Sequence, residues 1–253
     1  MKSVAEKEER NNTEKTSDGD MMTDQRSLKP VLCRVYLPAF CIFSFGKALI
    51  FYNILNVIPF YLNEVLDADP LLIAYLNTAL CILMAVGSAV FSALYQTLDR
   101  YITWLQCRMI FTVLPLICQI IFAVGMSYIN TITGGIVILA LCSIATSTNF
   151  SGGIVTVNYE LDPPNSALLQ SIWNSFGQVS AFVGPLMMAA ITHVDPETPD
   201  RAAVYKHRWS VFFDVVAGFA ALSALSILVA YFIKKDEWVP YKDRMEAAKC
   251  CDQ

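Results

Sequence analysis

Lys47 is the residue whose type and place could do the most chemistry. It is one of only two charged residues between Leu37 and Leu66, the other being Glu64. Counted from Tyr36, it lies about eleven residues into an apolar run, or roughly 16 Å along a helix. That is near the middle of a hydrocarbon core about 30 Å thick. A Lys at that depth costs around 2.5–3.5 kcal/mol, and such a cost is usually offset by a partner, a water cavity or a ligand. Its chemistry there is electrostatic capture of an anion, a carboxylate or a phosphate. The other reading is a Lys that snorkels towards the interface, or a span that begins later than Tyr36.

Neutral polar residues follow it. At 100° per residue Asn53 and Asn56 lie about 240° and 180° round the helix from Lys47, so they share its face only if the helix bends. Pro59 comes late for such a bend. Either the run is broken near Tyr52, or one side of it packs through its asparagines. Tyr52 and Asn53 are candidate cavity residues, and Asn56 reads as packing or hydration. Further on, Gln170, Asn174 and Gln178 are spaced i, i+4, i+8. They form one polar stripe, which on a membrane helix faces a cavity or another helix rather than lipid. Thr146, Ser147, Thr148 and Asn149, with Gly152 and Gly153, suit either a cavity or close helix packing. Asp214 is the one acid inside an apolar span, expected in the first turn of the last helix, where the dipole and the headgroups favour a carboxylate. A proton-coupling acid is the sharper alternative.

These residues need a bilayer around them. Of 253 residues, 55% are apolar and 16% charged, and the mean hydropathy is +0.48. An ordinary soluble domain carries about 25% charge. Fourteen Asp, Glu, Lys and Arg crowd between Met1 and Arg34, which reads as a disordered tail over 1–34. Six runs are then long enough to span: 36–62, 71–97, 109–128, 132–157, 167–192 and 211–233. The expected fold is an all-α membrane protein with a six-helix domain over 35–235 and a second tail over 236–253. Spans one, two, four and five carry polar residues and glycines, as cavity-lining helices do. The sixth is nearly uniform, as a lipid-facing support is.

Lys and Arg in the short connections set the orientation. Nine fall on the side of the termini: Arg26, Lys29, Arg34, Arg100, Arg108, Lys234, Lys235, Lys242 and Arg244. Three fall opposite, Arg201, Lys206 and Arg208. Both termini are therefore expected in the cytoplasm, although the membrane, plasma or vesicular and lysosomal, is not distinguished. Trp104, Trp209 and Trp238 stand next to span ends, where interfacial aromatics are expected.

Composition excludes other classes. The net charge of −4 and the lack of a basic stripe argue against nucleic-acid binding. The eight cysteines do not read as a disulfide framework, since Cys41, Cys81, Cys118 and Cys142 sit inside apolar runs and act there as small hydrophobes. No CxxC occurs, and His193 and His207 have no cysteine nearby, so neither a metal nor a cofactor is expected. No Ser-His-Asp, Cys-His or HExxH constellation points to an enzyme.

Four stretches in order are similar to the anion transporters of solute carrier family 17, in the major facilitator superfamily. FGKALIFYNILNVIPFYLNEVL resembles the family's seventh helix through Phe51-Tyr52, Pro59, Tyr61 and Glu64. NYELDPP resembles the stretch before its eleventh helix through Asn158, Asp162 and Pro164. Asn174, Gly177 and Pro185 match the eleventh helix itself, and Trp209 and Phe213 match the opening of the twelfth. The resemblance covers roughly residues 35–240, the second half of such a transporter. It implies symport of an organic anion or inorganic phosphate coupled to H⁺ or Na⁺, with substrate among spans one, four and five near the midplane. Some family members carry a basic residue where Lys47 stands, facing the substrate anion. A full member has twelve helices, so six more upstream, or a second six-helix chain, are expected to complete it. The rival reading is a diverged half that binds or regulates another membrane protein. Two features depart from the family pattern: the spacing of Asn158, Asp162 and Pro164 is shifted by a residue, and Tyr95 stands where the G-x-x-x-D-R loop pattern ending in Asp99-Arg100 has Gly. A reporter attached within 195–208 is expected to lie on the non-cytoplasmic side, and an accessibility assay in intact cells checks it.

Overall fold

The computed structural model describes residues 36–151, 157–194, 201–233, 239–240 and 242–243. Helix α1 (Tyr36–Tyr52) passes into a π-helical turn at Asn53–Val57 and continues as α2 (Ile58–Glu64). Pro59 explains the turn. It has no N–H for the carbonyl four residues back, and its ring crowds that carbonyl. The carbonyl is that of Leu55, and Asn77 Nδ2 on the next helix donates to it at 3.3 Å. The first apolar run is thus broken just after Tyr52.

Helix α3 (Pro70–Leu98) starts at Asp69, whose carboxylate accepts the Leu71 N–H at 2.8 Å. Pro at the first helical position loses no hydrogen bond there. Helix α4 (Trp104–Met126) starts at a capping box in which Thr103 and Gln106 satisfy one another's backbone N–H groups. Helix α5 (Ile132–Ser147) is capped by Thr131 and tightens into a 3₁₀ turn at Thr148–Phe150. The short α6 (Val157–Leu161) precedes α7 (Ser166–Thr192), and α8 (Arg201–Ile233) closes the order. The described residues are all-helical, with six helices long and apolar enough to cross a membrane.

Three expectations need correction. The fourth run leaves regular helix at Phe150 rather than 157, because the Ser-Thr-Asn stretch bonds back to its own carbonyls, as Ser147 and Thr148 do to Ile144 and Ala145. The last helix begins at Arg201, ten residues before 211, so Asp214 is its fourteenth residue and lies well past the first turn. Its polar opening is held because Tyr205, Lys206 and Arg208 hydrogen-bond to Glu64, Asn130 and the His193 carbonyl, at the far ends of three other spans. Trp209 is consequently a core residue, fully buried with its ring tilted against those of Tyr61 and Phe213, at 5.3 and 5.9 Å between centroids. Nor is α8 a mere lipid-facing support, since it packs on both α1 and α4. The expected tail 1–34, nearly all of 236–253, Gly152-Gly153 and Trp238 lie outside the described residues.

Packing divides the spans three and three. The major contacts are α1 with α7 and α8, α3 with α5, α4 with α5, and α4 with α8. Exchanging the first three spans for the last three (α1 for α5, α3 for α7, α4 for α8) returns the same set. Burial follows the same exchange: 56% and 50% for spans one and four, 11% and 22% for two and five, 33% and 39% for three and six. Each set holds an odd number of spans, so the second crosses the membrane in the opposite sense to the first. The arrangement is that of an inverted repeat.

Close approach holds the repeats together. A Cβ on Gly87 of α3 would come within 2.5 Å of Ser147 Oγ, and one on Gly177 of α7 within 2.8 Å of Ser44 Oγ, the crossing between the repeats that the exchange makes equivalent. The tightest contact is Gly46, where a Cβ would lie 1.9 Å from Ser223 Oγ and 2.8 Å from Ser223 Cβ. Ser223 cannot turn away cheaply, since its hydroxyl bonds the carbonyls of Ile42 and Phe219. Gly46→Ala is expected to destabilise the bundle by about 1–3 kcal/mol through overpacking. Ser223→Gly in the same chain should restore part of the loss, read as the thermal midpoint in detergent.

Candidate functional site

The sequence folds so that α1, the 3₁₀ turn after α5 and the first half of α7 line an open-sided cavity of about 140 Å³. Lys47 and Tyr52 line it from α1, Asn149 and Phe150 from the turn, and Asn174 and Gln178 from α7. Gly177 allows this, because without a side chain there α7 lies directly on Ser44, and the amides one position after it and three before it come up beside Lys47.

The electrostatics are one-sided. No carboxylate pairs with Lys47 among the described residues, and α7 carries no ionisable side chain at all. The ammonium lies instead over the rings of Phe43 and Trp173, 5.4 and 5.5 Å from their centroids. Tyr52 Oη donates to Gln178 Oε1 at 2.6 Å, which occupies the amide's acceptor and leaves its N–H groups available. Phe51 meets Tyr52 and Phe150 edge to face, both at 5.3 Å, and forms an apolar wall. A lone cation, amide donors and an aromatic wall can hold an anion that has an apolar part.

A Major Facilitator Superfamily model matches residues 40–248. The chain belongs to the Major Facilitator Superfamily. Comparison with curated proteins gives no match. Members of the superfamily are multi-pass membrane transporters of small molecules, and six membrane-length helices correspond to half of the superfamily fold.

In this Major Facilitator Superfamily chain four of the seven candidate residues meet at the cavity: Lys47, Tyr52, Asn174 and Gln178. Three do not. Asn53 is buried, donates to the Leu49 carbonyl at 2.7 Å and borders a separate apolar cavity with Phe122, Leu139 and Phe213. Gln170 accepts from Asn158 Nδ2 at 3.1 Å, so the stripe on α7 is split between a helix contact and the cavity. Asp214 is exposed on α8, which adds nothing to the cavity wall, and accepts from Ser127 Oγ at 3.4 Å. Asn149, read from sequence as a packing or cavity residue, lines the cavity because the 3₁₀ turn re-aims it. Phe150 had no signal in the sequence beyond being apolar.

Sequence reasoning also missed a buried ion pair at the end of the bundle where α4 begins. Arg108, 3% exposed, bonds Glu160 of α6, and its guanidinium lies over Tyr95 at 4.9 Å and Trp104 at 5.5 Å. Trp104 Nε1 donates to the same carboxylate oxygen. Tyr95, where the resembled loop pattern has Gly, is here the floor of the Arg108 site. The signal was available as a lone Arg at the start of an apolar run and an acidic loop two spans later. The pair is lopsided, Glu160 being 36% exposed. Glu160→Ala strands a buried charge and is expected to cost about 3 kcal/mol. Replacing both partners, Arg108→Met with Glu160→Gln, should cost less than Glu160→Ala alone, as measured by thermal unfolding of the purified chain.

Proposed function

We propose that this transporter moves an organic anion or inorganic phosphate across the bilayer, coupled to H⁺ or Na⁺, and that a second six-helix half completes its path. The observation that carries the reading is the unpaired Lys47 at the wall of an amide-lined cavity. A cation in the apolar part of a membrane is stabilised by an anion, and with no carboxylate beside it among the described residues the substrate supplies one. Tyr52, Asn174 and Gln178 add polar contacts that orient the anion. The similarity of spans one, five and six to solute carrier family 17 supports the same substrate class.

The need for a second half rests on exposure. α7 leaves Asn174 and Gln178 exposed, polar groups that lipid does not satisfy, and α3 is the least buried span. In the superfamily alternating access is the rocking of one half against the other around a site between them. Asp214, bonded by Ser127 outside the cavity wall, reads as an interfacial charge rather than the coupling acid.

Lys47→Ala is expected to lower uptake of the transported anion at least about tenfold, the worth of a charge-assisted hydrogen bond. Lys47→Arg should keep part of it. Uptake into proteoliposomes, with surface expression matched, is the measurement, and unchanged anion uptake by Lys47→Ala ends the reading.

A further inference from the structure

We infer that Trp173 is a positioning residue for the substrate anion: with Phe43 it forms an aromatic cradle that holds the Lys47 ammonium charged and aimed at the cavity without neutralising it. The inference rests on the reading of Lys47 as the anion contact and names the device that makes such a contact workable inside a membrane.

Three observations carry it. The two rings lie 5.4 and 5.5 Å from Lys47 Nζ, within the range at which a ring face attracts a cation. Both rings are buried, Phe43 at 0% and Trp173 at 2% exposed, and neither lines the cavity, so a ligand in the cavity reaches Lys47 and not the rings. The cradle is itself fixed, since Phe40 packs edge-on to both, 6.3 Å from Phe43 and 4.8 Å from Trp173. Trp173 thus comes from α7, the helix that also brings Asn174 to the cavity, and a shift of α7 along α1 moves the cradle and the amide together.

The chemistry differs from that of a salt bridge. A carboxylate beside Lys47 would cancel its charge and compete with the substrate. A ring quadrupole attracts the cation and leaves its net charge, and its three N–H donors, for the anion. Rings behind and cavity in front also fix the direction of the flexible Lys stem, which lowers the ordering cost of binding.

The test is fluorescence and affinity on the full chain in lipid nanodiscs, with inorganic phosphate and benzoate as probe anions. Binding should change the emission of Trp173, and the change should vanish in Trp173→Phe while the other tryptophans remain. Affinity should fall about tenfold in Trp173→Leu and less than about threefold in Trp173→Phe, whose ring still offers a face. In the Lys47→Gln background both Trp173 substitutions should have no further effect on affinity. A packing role alone would lower the thermal midpoint equally in both backgrounds and leave the affinity of the folded fraction unchanged. Binding that depends on Lys47 but is indifferent to Trp173→Leu overturns the cradle and leaves the anion site standing. Failure of both probes to bind the wild-type chain reconstituted together with the six-helix half it pairs with overturns the anion site, and the cradle with it.

Discussion

A charge in hydrocarbon must be stabilised, and the way it is stabilised decides what it can do. Everything around the cavity answers to that constraint on Lys47. The helix that carries it is the most buried of the six, and Lys47 is itself half-buried within it. Its stabilisers are two ring faces and the few polar groups of a largely apolar cavity, which leave the charge free to meet a ligand. The neighbours of Lys47 on α1 and α7 follow suit: amides, hydroxyls and rings, with no competing acid. The amide of Gln178 is even polarised in one sense by Tyr52, its oxygen engaged and its nitrogen not.

That chemistry depends on backbones lying closer than side chains normally permit. In lipid there is no hydrophobic force to press helices together, so small residues and local packing must do it. Gly46, Gly87 and Gly177 each face a serine on the neighbouring helix, and two of the three occupy equivalent crossings of the repeat. Gly177 has a double role. It sets the distance between α1 and α7, and that distance places Trp173, Asn174 and Gln178 round Lys47. Packing and site are therefore one problem at this crossing, and the peripheral burial of α7 leaves Asn174 and Gln178 open to the side on which a second half is proposed to lie.

The six spans were legible because long apolar runs admit one structure in a bilayer, a helix that satisfies its own backbone. What was not legible depended on a single hydrogen bond or a tertiary partner. Pro59 was visible, but its effect falls four residues upstream, and Asn77 on another helix is what makes the freed Leu55 carbonyl tolerable. The start of α8 was hidden because Tyr205, Lys206 and Arg208 look like loop residues until Glu64, Asn130 and His193 are there to receive them. The same limit governs the site. A 3.6-residue period puts Gln170, Asn174 and Gln178 on one stripe, yet the first of them ends on Asn158. Periodicity gives a face and says nothing of how many neighbours share it.

Arg108 and Lys47 make the deciding contrast. Both are cations within an apolar span, and both lie over two aromatic rings: Tyr95 and Trp104 for Arg108, Phe43 and Trp173 for Lys47. The rings alone cannot distinguish a structural cation from a functional one. The difference is Glu160, whose carboxylate meets Arg108 and ties α6 to the start of α4. With that charge cancelled, Arg108 serves as a fastening between spans, and removing its partner is costly because the charge is then stranded. Lys47 has the same aromatic support, no carboxylate partner among the described residues, and a cavity beside it. On the proposed reading the substrate anion takes the place of the missing partner, and a protein carboxylate introduced there would turn the proposed binding cation into a second fastening.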